Sequence, residues 1–151
     1  MNLSHYLGLL HRAELGLAAA YREVGAAHAA EVDVFHVTRT LAGQCENHAE
    51  RLDEFVQRYG EEADDEPERL HADLFKGTRA GGLGLLRDLH DLYLMAAQCD
   101  IAWTLVGQAA QGARDQTLLA VVTDCESEAQ TQLRWLRTRM KQAAPQALVV
   151  T

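Results

Sequence analysis

The chain has 151 residues, 48% of them apolar and 24% charged, with a formal charge of -8. That is the size and balance of one soluble globular domain, and the acidic surplus leaves no basic field to attract nucleic acid or an anionic bilayer. No stretch of roughly 18 apolar residues occurs, so no membrane span is expected. Met1 to Tyr6 lacks the basic start and apolar core of a signal peptide. Three cysteines, Cys45, Cys99 and Cys125, have no CxxC spacing and argue against a disulfide framework. A reducing cytoplasm is the expected location.

The first helix is expected from about Ser4, a candidate N-cap, to about His28. Steps of three and four give Leu3, Leu7, Leu10, Glu14, Leu17, Tyr21, Val24 and His28, an apolar seam with one carboxylate in its middle. The second helix, about 33–59, is closed by Gly60 and carries the seam Val34, Val37, Leu41, Cys45, His48, Leu52, Phe55 and Tyr59. Residues 60–82 form the one long connection. It opens on the acidic run Glu61 to Glu66, which reads as solvated loop, and Pro67 starts a short helical stretch, Glu68 to Phe75. Helices of this length are about 37 Å long, and some 20 linker residues can cross that distance. The third helix is expected over about 83–111, and the fourth over about 115–142 with Asp115 as N-cap. The tail after Pro145 is expected as a surface extension.

The two halves repeat each other in pattern. Adding 82 to the first seam gives Leu85, Leu89, Leu92, Ala96, Cys99, Trp103, Val106 and Ala110, and Val24-Gly25 recurs as Val106-Gly107. Adding 81 to the second seam aligns Val122, Glu126, Ala129, Leu133, Leu136 and Met140 on the fourth helix.

With Glu14 on the first helix and Cys45-Glu46-Asn47-His48 on the second, the chain resembles the ferritin-like superfamily, in particular rubrerythrin and bacterioferritin. That resemblance implies an all-α, up-down-down-up four-helix bundle with a long crossover between the second and third helices. Members carry a glutamate on the first and third helices and Glu-x-x-His on the second and fourth. Here Glu14 matches, His48 matches, and Cys45 stands where the second-helix glutamate would be. Ala96 replaces the third-helix glutamate. On the fourth helix Glu126 is aligned with the glutamate, and Ala129 with the histidine. The resemblance therefore implies a degenerate, mononuclear site formed by Glu14, Cys45, His48 and Glu126, with Asp100 as a further candidate one turn past Ala96.

Two buried carboxylates need a cation, shared protons or exposure. A divalent ion would satisfy Glu14, His48 and Glu126 together: Fe, Mn or Zn, with a Cys45 thiolate tilting the choice toward zinc. The alternative is a metal-free network in which Glu14 pairs with His48 as imidazolium, in a non-catalytic scaffold or partner-binding protein. An intact di-iron oxidase is not expected, since Ala96 and Ala129 cannot ligate. Cys99 reads as a small core residue, Cys125 and Glu128 as facing neighbouring helices or solvent, and His11 as an outer partner of Glu14. Tyr93, Leu94 and Trp135 suggest an apolar strip suited to a homodimer.

Overall fold

The computed structural model describes residues 2–60 and 75–150. Four helices make up the fold: α1 (Asn2–Ala27), α2 (Val32–Gly60), α3 (Gly81–Gly112) and α4 (Gln116–Leu148). No strand occurs among the described residues. The 61–74 part of the connection, with the acidic run and most of the expected short helix, lies outside the described residues. Residues 75–80 are irregular.

Cross-helix pairs fix the directions. Arg22 meets Glu46 at 2.6 Å and His11 meets Asp53 at 2.8 Å, so α1 and α2 are antiparallel. Thr104 with Glu126 (2.7 Å) and Arg137 with Tyr93 (3.0 Å) make α3 and α4 antiparallel. His28 at the end of α1 meets Asp88 near the start of α3 at 2.8 Å. At the two ends of α2, Asp33 binds Arg139 of α4 (2.7 Å) and Tyr59 binds Asp115 just before α4 (2.6 Å). The last turn of α2 and the first turn of α3 are therefore at opposite ends of the bundle.

Several terminal details follow from local chemistry. Asp115 caps α4 by accepting from the Leu118 amide at 3.1 Å, satisfying one orphan donor of the first turn. Ser4 is not the N-cap of α1; the helix begins at Asn2 and buries Ser4. The fourth helix runs past the expected end at 142 and through Pro145 to Leu148. Proline there removes a single backbone bond in the final turns, and the flanking alanines are strong helix formers. Near the start of α3, buried Asp88 accepts from the Arg79 amide, the Arg79 guanidinium and His28, tying the irregular segment to α1 and α3.

The repeated glycines mark close approaches between paired helices. A Cβ on Gly25 would run into the Thr38 side chain of α2, and one on Gly107 would lie 3.0 Å from Val122 Cγ1 of α4. Thr38 cannot turn away cheaply, because its hydroxyl donates to the Val34 carbonyl at 2.7 Å. Gly25→Ala should lower stability by about 1–3 kcal/mol through overpacking. Gly43→Ala, where nothing lies within 4 Å, should raise it by up to about 1 kcal/mol. Urea unfolding of both variants checks the contrast; equal effects would mean that the α1–α2 approach is not tight at Gly25.

The core also fixes the register of the repeat. On α1 and α3 the offset of 82 holds, with buried Leu7, Leu10, Glu14 and Tyr21 matched by buried Leu89, Leu92, Ala96 and Trp103. On α2 and α4 it does not hold at 81. Adding 84 to Val34, Thr38, Cys45, His48 and Leu52 gives Leu118, Val122, Ala129, Gln132 and Leu136, and all ten are buried. The fourth helix is thus turned relative to expectation, with Cys125 and Gln132 inside and Glu126 and Leu133 at the margin.

Candidate functional site

Midway along the bundle, charged and aromatic side chains from all four helices meet. Glu14 of α1 is 1% exposed and His48 of α2 is fully buried. One Glu14 oxygen, Oε1, accepts from the Trp103 indole of α3 at 2.8 Å. The other, Oε2, faces His48 Nδ1 at 3.3 Å, and neither of these two atoms has a hydrogen-bond partner. On its outer edge His48 Nε2 meets Glu128 Oε1 of α4 at 2.8 Å. Trp103 stands edge-on to the imidazole, with ring centres 5.8 Å apart. A second polar chain lies beside this one: the Tyr21 hydroxyl donates to Gln132 at 3.0 Å, and the Gln132 amide donates to Gln44 at 3.1 Å. Cys45 Sγ sits 3.7 Å from Gln132.

Electrostatics decide what the cluster can hold. With Nδ1 unprotonated, two lone pairs would face each other in a dry core, so a positive species belongs between Glu14 and His48. Burial alone would push the His48 pKa down, but Glu14 on one side and Glu128 on the other outweigh it and raise the pKa above the ordinary 6.5. An imidazolium here donates Nε2–H to Glu128 and sets its charge against Glu14 Oε2 across 3.3 Å. The neighbouring thiols stay neutral. Burial, reinforced by the Glu14 charge, lifts Cys45 and Cys99 well above the usual thiol range, and burial pushes Cys125 up to about 12. Burial raises Tyr21 in the same way.

The core therefore gathers Glu14, Cys45 and His48 from the sequence-predicted set, but not Glu126. That residue lies at the α3–α4 margin, where its Oε2 accepts from Thr104 at 2.7 Å and it lines an outer groove of about 290 Å³. Asp100 stands with it. Its pKa is raised by partial burial and then by the Glu126 charge, and its buried Oδ1 has no partner. His11 serves Asp53 rather than Glu14. The shift on α4 has a plain origin in the 84-residue register, under which Cys45-x-x-His48 corresponds to Ala129-x-x-Gln132 and Glu126 was never on the buried column. Glu128, expected to face neighbouring helices or solvent, is instead the residue that reaches His48. It does so from an off-seam position with its side chain still 41% exposed.

Comparison with family models, with curated proteins and with solved structures returns no match to this chain. The ferritin-like resemblance therefore rests on its own residues. Those residues do not fit a di-iron centre. Ala96, Ala129 and Gln132 stand at three of the six ligand positions and a neutral thiol at a fourth, while Glu14 commits one oxygen to Trp103. Among the described residues, no group of three or more His, Cys, Asp or Glu side chains is arranged to hold a metal ion.

Proposed function

We propose that this protein is a ferritin-like bundle in which a proton-held Glu14–His48–Glu128 clamp takes the place of the metal centre, and that it works as a non-catalytic helical scaffold or partner-binding protein. The observation that carries this reading is His48 gripped between two carboxylates from different helices, with its ring pKa raised toward the charged form. The clamp ties α1 to α2 and α2 to α4 through one side chain. Up-down-down-up topology belongs to the same proposal. It is supported by the last turn of α2 and the first turn of α3 lying at opposite ends of the bundle.

One observation favours a second reading. Glu14 Oε2 and His48 Nδ1, both unpartnered and 3.3 Å apart, are spaced as two ligands of a single small cation would be. Glu128 on Nε2 would then fix the ring tautomer, as carboxylates do behind metal-bound histidines. The two readings separate on one titration. Zn(II), Mn(II) or anaerobic Fe(II) added to protein purified without a His tag should leave Tm unchanged if protons hold the clamp. A bound ion at a hundred times its Kd would add about 2.7 kcal/mol. A metal-dependent rise in Tm that His48→Ala abolishes would establish the single-ion reading instead.

Location and assembly extend the proposal. Among the described residues no helix is long and apolar enough to cross a membrane, and three free buried cysteines suit a reducing cytoplasm. A homodimer is supported by apolar side chains at the surface, among them Leu94 at 43% and Ile101 at 54% exposure. Light scattering should return twice 16.7 kDa; the monomer mass at high concentration would rule the dimer out.

A further inference from the structure

Away from the clamp, α3 and α4 enclose an open groove of about 640 Å³ near the start of α3. Its size falls within the range of small-ligand sites. Its lining is divided along its length. Leu83, Leu86, Ala144 and Leu148 form the end nearest the bundle tip, and Leu83 and Leu148 are 52% and 65% exposed. Toward the middle of the bundle stand His90, Arg137, Met140 and Lys141, with the Tyr93 hydroxyl receiving Arg137 at 3.0 Å, while Arg87 follows Leu86 nearer the tip.

The charge in this groove runs against that of the molecule. The chain carries 22 acidic and 14 basic side chains, yet among the described residues no carboxylate lines the groove. Elsewhere Arg22, Arg51, Arg58, Arg79 and Arg139 each pair with an acid. Among the described residues no acid pairs with Arg87, Arg137 or Lys141. An apolar trough about 15 Å long from Leu83 to Tyr93, with Arg137 and Lys141 at its inner end and no acid of the described residues on either, is complementary to a molecule with one anionic head and one apolar tail. A second copy of the chain fits poorly in a two-fold contact, because the same cations would then face each other. The geometry points to a binding site for a free medium-chain fatty-acid-type carboxylate, with its head at Arg137, Lys141 and Tyr93 and its tail against Leu83, Leu86 and Leu148. This site is independent of what holds the Glu14–His48 clamp.

Calorimetric titration of the full chain with dodecanoate, below its micelle concentration, tests the assignment. One dodecanoate should bind per chain, and butanoate and dodecyltrimethylammonium should bind at least about tenfold more weakly, the first for want of a tail and the second by charge. The double variant Arg137→Glu, Lys141→Glu should weaken dodecanoate binding by at least about tenfold while keeping the wild-type Tm. Ala144→Asp, which blocks the tail without touching the head, should do the same. Equal binding of the ammonium analogue, insensitivity to both variants, or no binding would each overturn the proposal. So would a dimer that dissociates on Arg137→Glu, or sedimentation with anionic vesicles in place of binding to the monomeric acid.

Discussion

Glu14→Leu should destabilise the fold by about 3–5 kcal/mol, as expected when one member of a buried charge pair is removed and the other is left behind. Leucine matches the apolar volume but abandons the Trp103 indole donor and the charge partner of His48 at once. Glu14→Gln should behave in the opposite way and leave stability unchanged or slightly raised. Its carbonyl can still accept from Trp103, while its amide can donate to Nδ1 of a neutral His48 whose Nε2–H remains on Glu128. The same substitution alters the pH dependence. Because the folded-state pKa of His48 is raised, its contribution is complete below the unfolded value of about 6.5 and is lost as pH rises through the folded value. Wild-type stability should therefore fall as pH rises from the ordinary histidine value through the raised folded one, and Glu14→Gln should flatten that fall. Urea unfolding across the range measures both effects. A destabilising Glu14→Gln with an unchanged pH slope would mean that the charge pair is not what joins α1 to α2.

Trp103→Ala should cost about 3–5 kcal/mol, the range for removing a large buried aromatic. Trp103 is fully buried and carries both the packing of the cluster and one of its hydrogen bonds. Trp103→Phe divides the two contributions. It keeps most of the ring volume but strips the donor from Glu14 Oε1, so a cost of about 1–3 kcal/mol should remain. Trp135 sits half-buried on α4, and Trp135→Ala should cost clearly less than Trp103→Ala. Guanidinium unfolding of the three variants ranks them; equal losses at 103 and 135 would refute a tightly packed indole at the centre.

Much of the fold could be read from spacing alone, because Leu-rich seams at steps of three and four leave one way to bury each helix. The α1–α3 repeat at an offset of 82 was legible for that reason, as was the place of Glu14 and His48 on buried columns. The fourth helix was harder. Residues 122, 129 and 136 belong to both possible seams, and the flanks decide between Leu133 with Glu126 and Cys125 with Gln132. Hydrophobicity favours the first set. The second is the one buried, since Gln132 finds Tyr21, Gln44 and Cys45 inside the bundle, whereas Glu126 finds Thr104 at its margin. Pairing Cys45-x-x-His48 with Ala129-x-x-Gln132 was available in the sequence as a Cys/Ala and His/Gln match of equal spacing. Glu128 had no such signal, because a half-exposed side chain reaching inward from off the seam leaves no periodic trace. The helix through Pro145 was hidden by the weight that an interior proline carries in any reading of helix ends.

The measurement closest to the central claim is the protonation state of the His48 ring. Nitrogen-15 NMR of imidazole-labelled protein, assigned through His48→Gln, reports each ring nitrogen separately across a pH titration. The expected result is a ring protonated on both Nδ1 and Nε2 below its raised pKa, losing one proton only above the ordinary histidine value, with signals unmoved by added Zn(II) or Mn(II). A ring that stays neutral through that range, or an Nδ1 signal that shifts or broadens on addition of either ion, would contradict it.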